Sequence, residues 1–554
     1  MRKITGIFFV FIIFTKLFSQ EALKSIEEEY YDFLSLQGLA ERPTLNYRTL
    51  SDSEWKLSAD DHIWKDNNLG TKRTIYESDK EATNWFTKGI EKSLKLKVYG
   101  PEWFNSYNTA APYGQNDGGL WQGKGYNTSL TGGVRVEGFG FEGTIKPQVS
   151  WSQNKSFDLM PSAYDSEYGY FGVGNIDLVQ RYGNESFWNF DFGDSEIRYT
   201  WKNFTLGFGT QSPWIGPAWL NPMLGSNNTS TYPKVDLGVR KTNLTFKGIN
   251  FGDIEGRIWT GKLTESDYFD NDNSNNERML NGISLAYAPS FIPNLKIGVN
   301  RIFITYWRTE NLKYIGRLFT LSHSNALSSS GNDEDQKVAL NIDWTFPSVG
   351  FEVYGELGID DFTSDEKANP FHTAIYTIGA KQIIPLNLNK ISNKLPSLKS
   401  ELIFEWNNFE MSQDFQLQWN YIGYYGHGFV RQGYTQKGQI IGAGSGYFGN
   451  SQYIGYNIYF PKGKVNLFFH RDCPDTNFIY NKANGDMAQG KQSDWYALYE
   501  TNWSKGIFVD YFLTKSFFVH LGFVDTKIIN PNYRIFNHKF DRNEQINLIL
   551  KYNF

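Results

Sequence analysis

The sequence predicts an all-β protein: a transmembrane, antiparallel β-barrel of the outer-membrane kind, with about eighteen strands and a small helical element ahead of it. Three observations point there. Residues 544–554, EQINLILKYNF, put Ile546, Leu548, Leu550, Tyr552 and Phe554 on one face and mostly polar residues on the other. Period-two alternation that ends on an aromatic is the pattern of a lipid-facing last strand. Interior segments alternate in the same way, and short turns alternate with long polar loops. Aromatics make up 17% of the chain and glycine contributes 52 residues, a usage that favours strands and turns over helices.

Taken in order, the chain opens with a basic Arg2-Lys3, an apolar run from Ile4 to Phe14 and a small residue at Ser19. This reads as a secretory signal over 1–19, because a helix needs about 20 apolar residues to cross a bilayer. Residues 20–100 read as a helical element on the periplasmic side or closing the barrel mouth. Ile26, Tyr30, Phe33 and Leu34 recur at helical spacing up to Gly38, and a second helix is expected over Lys80–Lys97. Residues 101–554 read as the barrel.

Within it, QKVALNIDWTF separates Val338, Leu340, Ile342, Trp344 and Phe346 from Ala339, Asn341, Asp343 and Thr345. FEVYGELGID and KVNLFFHRD divide likewise. In a membrane barrel the polar faces look into the lumen and the apolar faces meet lipid, so a mean hydropathy of −0.48 is compatible with membrane insertion. Short turns fall near 201–203, 248–250, 347–350 and 461–463. Long loops fall near 153–188, 211–233, 265–278, 308–334, 411–450, 474–490 and 527–543. The long ones belong outside the cell. A net charge of −5 gives no basis for nucleic acid as a partner, and the lone Cys473 excludes a disulfide framework.

Three stretches resemble the Wzi family of outer-membrane capsule-assembly proteins. Asn116-Asp117-Gly118-Gly119-Leu120-Trp121-Gln122-Gly123-Lys124-Gly125 is similar to the family's Asn-Asp-Gly-x-x-Trp-x-Gly-Arg-Gly element. Trp214-Ile215-Gly216-Pro217, with Ser226-Asn227-Asn228, Pro233 and Arg240, resembles its Trp-x-Gly-Pro and Ser-Asn-Asn…Pro…Arg signature. Gly426-His427-Gly428, with Gly433-Tyr434-Thr435-Gln436-Lys437-Gly438 and Ile441-Gly442, resembles its late glycine and tyrosine element. Lys124 stands where Arg is usual, Ile215 where a second aromatic often sits, and Thr229 where Ala is common. The resemblance implies an eighteen-stranded barrel with an occluded lumen. Such a barrel acts as a lectin for capsular or exopolysaccharide and has no catalytic role.

Sugar binding needs flat aromatic faces over C–H groups, and amides, carboxylates or Arg for the hydroxyls. Trp214 and Trp219 offer the first; Asn227, Asn228, Asp236 and Arg240 offer the second, with Tyr434 in a later cluster of Tyr424, Tyr425, His427 and Arg431. Each has a structural alternative. Gly216 and Pro217 would shape a loop folded onto its own barrel, and Asp236 with Arg240 would form a lumen ion pair. Asp117, Trp121, Gly123 and Gly125 would form a tight re-entrant turn, and the tyrosines an interfacial girdle.

Enzyme motifs are missing: the seven His show no His-x-x-x-His spacing, so no metal and no cofactor is expected. Glu352 with Glu356 and Glu401 with Glu405 are spaced for a glycosidase pair or for lumen carboxylates balancing Arg and Lys. The sequence thus predicts an exported, integral outer-membrane protein whose partners are surface polysaccharide, membrane lipid and the barrel-assembly machinery. A substrate-selective oligosaccharide channel is the rival reading.

Overall fold

The computed structural model describes residues 25–69, 74–79, 93–172, 175–319, 334–360, 374–386, 398–410, 423–478, 499–533 and 540–553. The expected signal segment and residues 80–92 of the second expected helix lie outside them. Residues 93–97 of that helix are strand. Leu94, Leu96 and Val98 alternate with Lys95 and Lys97, and this period of two prevails because strands flank the segment on both sides.

Eighteen antiparallel strands form a closed ring from Ser93–Asn108 to Phe540–Tyr552. These two strands pair with each other, Asn108 opposite Gln545 and Glu102 opposite Lys551, and so leave the barrel no open edge. Two staves are interrupted. Phe141–Ile145 and Gln148–Ser152 run along Gly125–Gly138 and break at Lys146-Pro147, where proline cannot donate to the ladder. Phe187–Asp191 and Glu196–Trp201 form the next broken stave.

The burial pattern is inverted relative to a water-soluble protein. Leu340, Ile342 and Trp344 are on the outside, while Asn341, Asp343 and Thr345 are buried. Trp188, Phe190, Ile197, Phe204 and Phe208 also face outward and are more than half exposed. Water would penalise an apolar surface of this extent; lipid favours it. At one end the strands turn within a few residues, as at Lys202-Asn203, Lys247-Gly248 and Pro461-Lys462. At the other end long segments connect them and fold back into the lumen. The strands run further than expected at one site: the loop expected over 527–543 is confined between Ile529 and Phe540.

The helix Ile26–Ser35 starts at Ser25, whose hydroxyl accepts from the Glu28 amide at 3.2 Å. Its apolar stripe, Tyr30, Phe33 and Leu34, packs on Trp64, Tyr459 and Phe512. Its acidic side anchors it to the wall. Glu29 meets Lys464 at 2.5 Å, Glu27 accepts from Asn553 at 2.8 Å, and Asp32 meets Arg42 at 2.6 Å and also pairs with Lys381. Trp64 Nε1 donates to the Phe460 and Gly463 carbonyls at 2.9 and 3.1 Å, which fixes this region at the short-turn end.

Candidate functional site

The long-loop segment 210–233 enters the lumen and meets the N-terminal segment there. Trp214 and Ile215 pair in antiparallel fashion with Arg48 and Tyr47, and the Gly216 amide donates to the Asn46 carbonyl at 3.0 Å. Gly216 has φ +97°, and a side chain there would collide with Glu356, so only glycine suits this close approach. Two wall carboxylates grip the loop's backbone. Glu356 accepts from the amides of Ala218 (3.0 Å) and Met223 (2.9 Å), and Glu405 from those of Trp219 (2.6 Å), Leu220 (3.0 Å) and Asn221 (2.8 Å). The remaining two glutamates of the sequence pairs are also committed. Glu352 meets Arg42 at 2.6 Å and Lys381 at 3.2 Å, and Glu401 accepts from Asn457 at 3.1 Å.

The three stretches singled out in the sequence converge on this loop. Gly118 donates its amide to the Asn227 carbonyl at 2.7 Å, and Gln115 reaches Asn221 Oδ1 at 2.7 Å. From the other side, the Tyr425 and Tyr434 hydroxyls donate to the carbonyls of Met223 (3.0 Å) and Leu224 (2.7 Å). Ser226 donates to the Gly442 carbonyl at 2.6 Å. Ile215, Met223, Leu224, Tyr425 and Tyr434 share one buried apolar cluster. Segments some two hundred residues apart thus form one plug across the barrel mouth.

This arrangement sorts the sequence candidates. Trp214 is buried, its indole N–H donating to the Ala218 carbonyl at 3.0 Å. Trp219 is half-buried, faces a cavity and lies beneath the Lys381 ammonium at 5.6 Å. Asn227 is buried; Asn228 is half-buried and donates to the Ile440 carbonyl at 3.0 Å. Tyr434 is inaccessible and stacks on Tyr425. Pro217 is half-buried beside Gly216 in the loop.

Asp236 and Arg240 share the lumen face but are not a pair. Four residues along a strand span about 13 Å, too far for contact. Asp236 bridges Arg198 (2.6 Å) and Arg257 (3.0 Å), and Arg240 reaches Asp52 (2.8 Å) and Glu142 (3.0 Å). Arg257 also meets Asp52 at 2.6 Å, so the two residues join one network through the N-terminal segment. Sequence reading missed Asp52, Asn46 and Glu255, whose carboxylate accepts from the Tyr47 amide at 2.8 Å. No local signal marks residues whose partners lie two hundred positions away.

The segment 109–124 lines a cavity of about 1070 Å³ between the plug and the wall. Trp121 packs edge-on against Tyr182 at 5.1 Å. Gly123 lies against the Trp121 indole and Gly125 has φ +96°. Burial pushes the Asp117 carboxyl up to about 7, against the opposing effect of its hydrogen bond from Gln122. The released chain would titrate near 4, so between pH 4 and 7 the folded state holds a proton that the unfolded state gives up. Its contribution is therefore present below pH 4 and is lost as pH rises through 7. Asp117→Asn removes this dependence: the melting-temperature advantage of the variant over the native barrel should be larger at pH 8 than at pH 5. Equal differences at the two pH values would refute the assignment.

A family model described as capsule assembly protein Wzi matches residues 106–471. Among solved structures, the chain is similar to Wzi of Escherichia coli, an outer-membrane protein involved in group 1 capsule assembly and described as a carbohydrate-binding β-barrel. Identity is 11%, the match covers 97% of this chain and 99% of that one, and the TM-score is 0.56. A structure of Pseudomonas putida OprB also matches, at 11% identity over 83% of this chain and 94% of that one, with a TM-score of 0.35. No curated protein matches.

Proposed function

Because the chain belongs to the Wzi family of capsule assembly proteins and forms an outer-membrane barrel, we propose that it holds capsular or exopolysaccharide at the cell surface as a lectin, without catalysis. One observation carries this reading: the plug presents rings and amides around an open cavity, while the wall carboxylates that hold it, Glu356 and Glu405, are occupied by its backbone. Trp219 and Asn228 line that cavity, and Phe429, 64% exposed, and Arg431, whose side chain is 48% exposed, lie on the same 423–442 segment as Tyr434. Trp214, Asp236, Arg240 and Tyr434 act by holding the plug. Residues 25–69 close the periplasmic end, and the barrel-assembly machinery inserts the chain into lipid.

Trp219→Ala should lower polysaccharide retained on cells. Loss of one aromatic face is worth about 0.5–1.5 kcal/mol, or roughly twofold to tenfold in affinity. Unchanged retention with normal barrel assembly would remove Trp219 from the site. The cavity also favours a second reading, a selective oligosaccharide channel, since it runs from the outer loops to the N-terminal helix. Planar-bilayer recording separates the two: the lectin gives no steady open current, the channel does.

A further inference from the structure

We propose that the lumen cavity is a saccharide chamber that accepts neutral or amino-bearing oligosaccharide segments and turns polyanionic ones away. This rests on the lectin reading and adds the class of glycan. The chamber lies along one arc of the wall, from the strand Asn450–Phe460 to the strand Phe540–Tyr552 and on to Ser93–Asn108. Its length runs from Asn532 at the outer loops to Ile26 and Glu29 on the helix. At about 1070 Å³ it is at the upper end of small-molecule sites, which span about 300–1,000 Å³.

Three features describe its occupant. First, twelve Asn and Gln side chains line it among the described residues, together with the rings of Tyr113, Trp121 and Trp219. Amides that both donate and accept beside flat rings match the hydroxyls and C–H faces of sugars. Second, buried polar atoms without a protein partner gather on this wall: Asn466 Oδ1, His470 Nε2, Asp472 Oδ1, Asn502 Oδ1 and Asn547 Oδ1. Asn466 and Asn547 are only 6% and 8% exposed. Buried polar groups are normally satisfied, so the chamber is built for a hydrogen-bonding occupant rather than lipid. Third, seven carboxyl groups line it against two lysines and no arginine among the described residues; burial pushes Asp117 and Glu500 up to about 7, and the other five still outnumber the lysines. Lys464 already holds Glu29 at 2.5 Å and faces Asp510 at 3.6 Å, and Asp510 meets His520 at 2.6 Å. An added carboxylate or sulfate would meet like charge, whereas an ammonium would meet acceptors.

The experiment uses the full-length barrel purified in detergent and titrated calorimetrically with three tetramers: maltotetraose, tetraglucosamine and tetragalacturonate. Tetraglucosamine and maltotetraose should bind, and tetragalacturonate at least tenfold more weakly at low salt. Asn502→Phe, which fills the chamber from its wall, should abolish binding while the heat-dependent gel shift of the folded barrel is retained. Should that variant fail to fold, Trp121→Leu in the loop should weaken binding tenfold. Equal or tighter binding of tetragalacturonate overturns the charge selection. Binding of none of the three, or binding untouched by the folded variant, overturns the chamber. Polysaccharide retention on cells that depends on Trp219 while the purified chamber stays empty removes this inference and leaves the lectin reading standing.

Discussion

Replacing Glu356 and Glu405 together by alanine will release the 210–233 segment from the lumen of an otherwise intact barrel. The two carboxylates accept five consecutive-region backbone amides, from Ala218 to Met223, and Glu405 also accepts from the Tyr354 hydroxyl at 2.8 Å. Hydrogen bonds to a charged acceptor contribute about 1.5–3 kcal/mol each, and a buried donor left alone costs about as much again as a neutral bond returns. Losing the set removes several kcal/mol from one loop and leaves five of its backbone amides without an acceptor. The barrel wall is unaffected, because both glutamates point inward from strands whose ladders are complete. Limited proteolysis of outer-membrane vesicles should therefore cut within 210–233 in the double variant and not in the native protein. Glutamine at both sites keeps one carbonyl acceptor each and should give an intermediate rate. Equal resistance of the alanine and native proteins would show that the plug is held by something else.

The second large effect is expected at Asp236. It lies between Arg198 and Arg257, all three nearly inaccessible. Asp236→Ala leaves two buried guanidinium groups short of a counter-charge, and breaking a buried pair this way costs about 3–5 kcal/mol. Arg240→Ala is the internal control. Its side chain is 25% exposed and the buried Asp52 it leaves behind keeps Arg257 at 2.6 Å, so the expected loss is about 0–1 kcal/mol. Denaturant unfolding in detergent micelles measures both. Comparable losses at the two positions would contradict the burial argument, as would an Asp236→Ala variant as stable as the native barrel.

These two cases show what a sequence carries and what it does not. The barrel wall is legible because each strand declares itself locally: Leu340, Ile342 and Trp344 face lipid and Asn341 and Asp343 face the lumen as a direct result of period-two spacing. The last strand, Phe540–Tyr552, follows from the same pattern, whereas its partner Ser93–Asn108 does not, because residues 93–97 read as the end of a helix. Glu356 and Glu405 were visible as inward carboxylates, but that they grip the backbone of a loop more than a hundred residues earlier has no local trace. Trp214 and Trp219 look equivalent in sequence; the hydrogen bond from Trp214 to Ala218 and the cavity beside Trp219 separate them only in three dimensions. Asp236 and Arg240 looked like partners because a strand places them on one face. The distance between alternate turns of the pleat sent each to a different counter-ion.

The pairing of Tyr47 and Arg48 with Ile215 and Trp214 has a consequence for biogenesis. Residues 25–69 precede every barrel strand in the chain, yet Glu255, Asp343, Lys381, Lys464 and Asn553, which receive them, are supplied by positions spread across the rest of the chain. The room those residues surround exists only after the last stave zips to the first. Residues 25–69 therefore find their seat only after the strands that follow them in the chain have closed the ring.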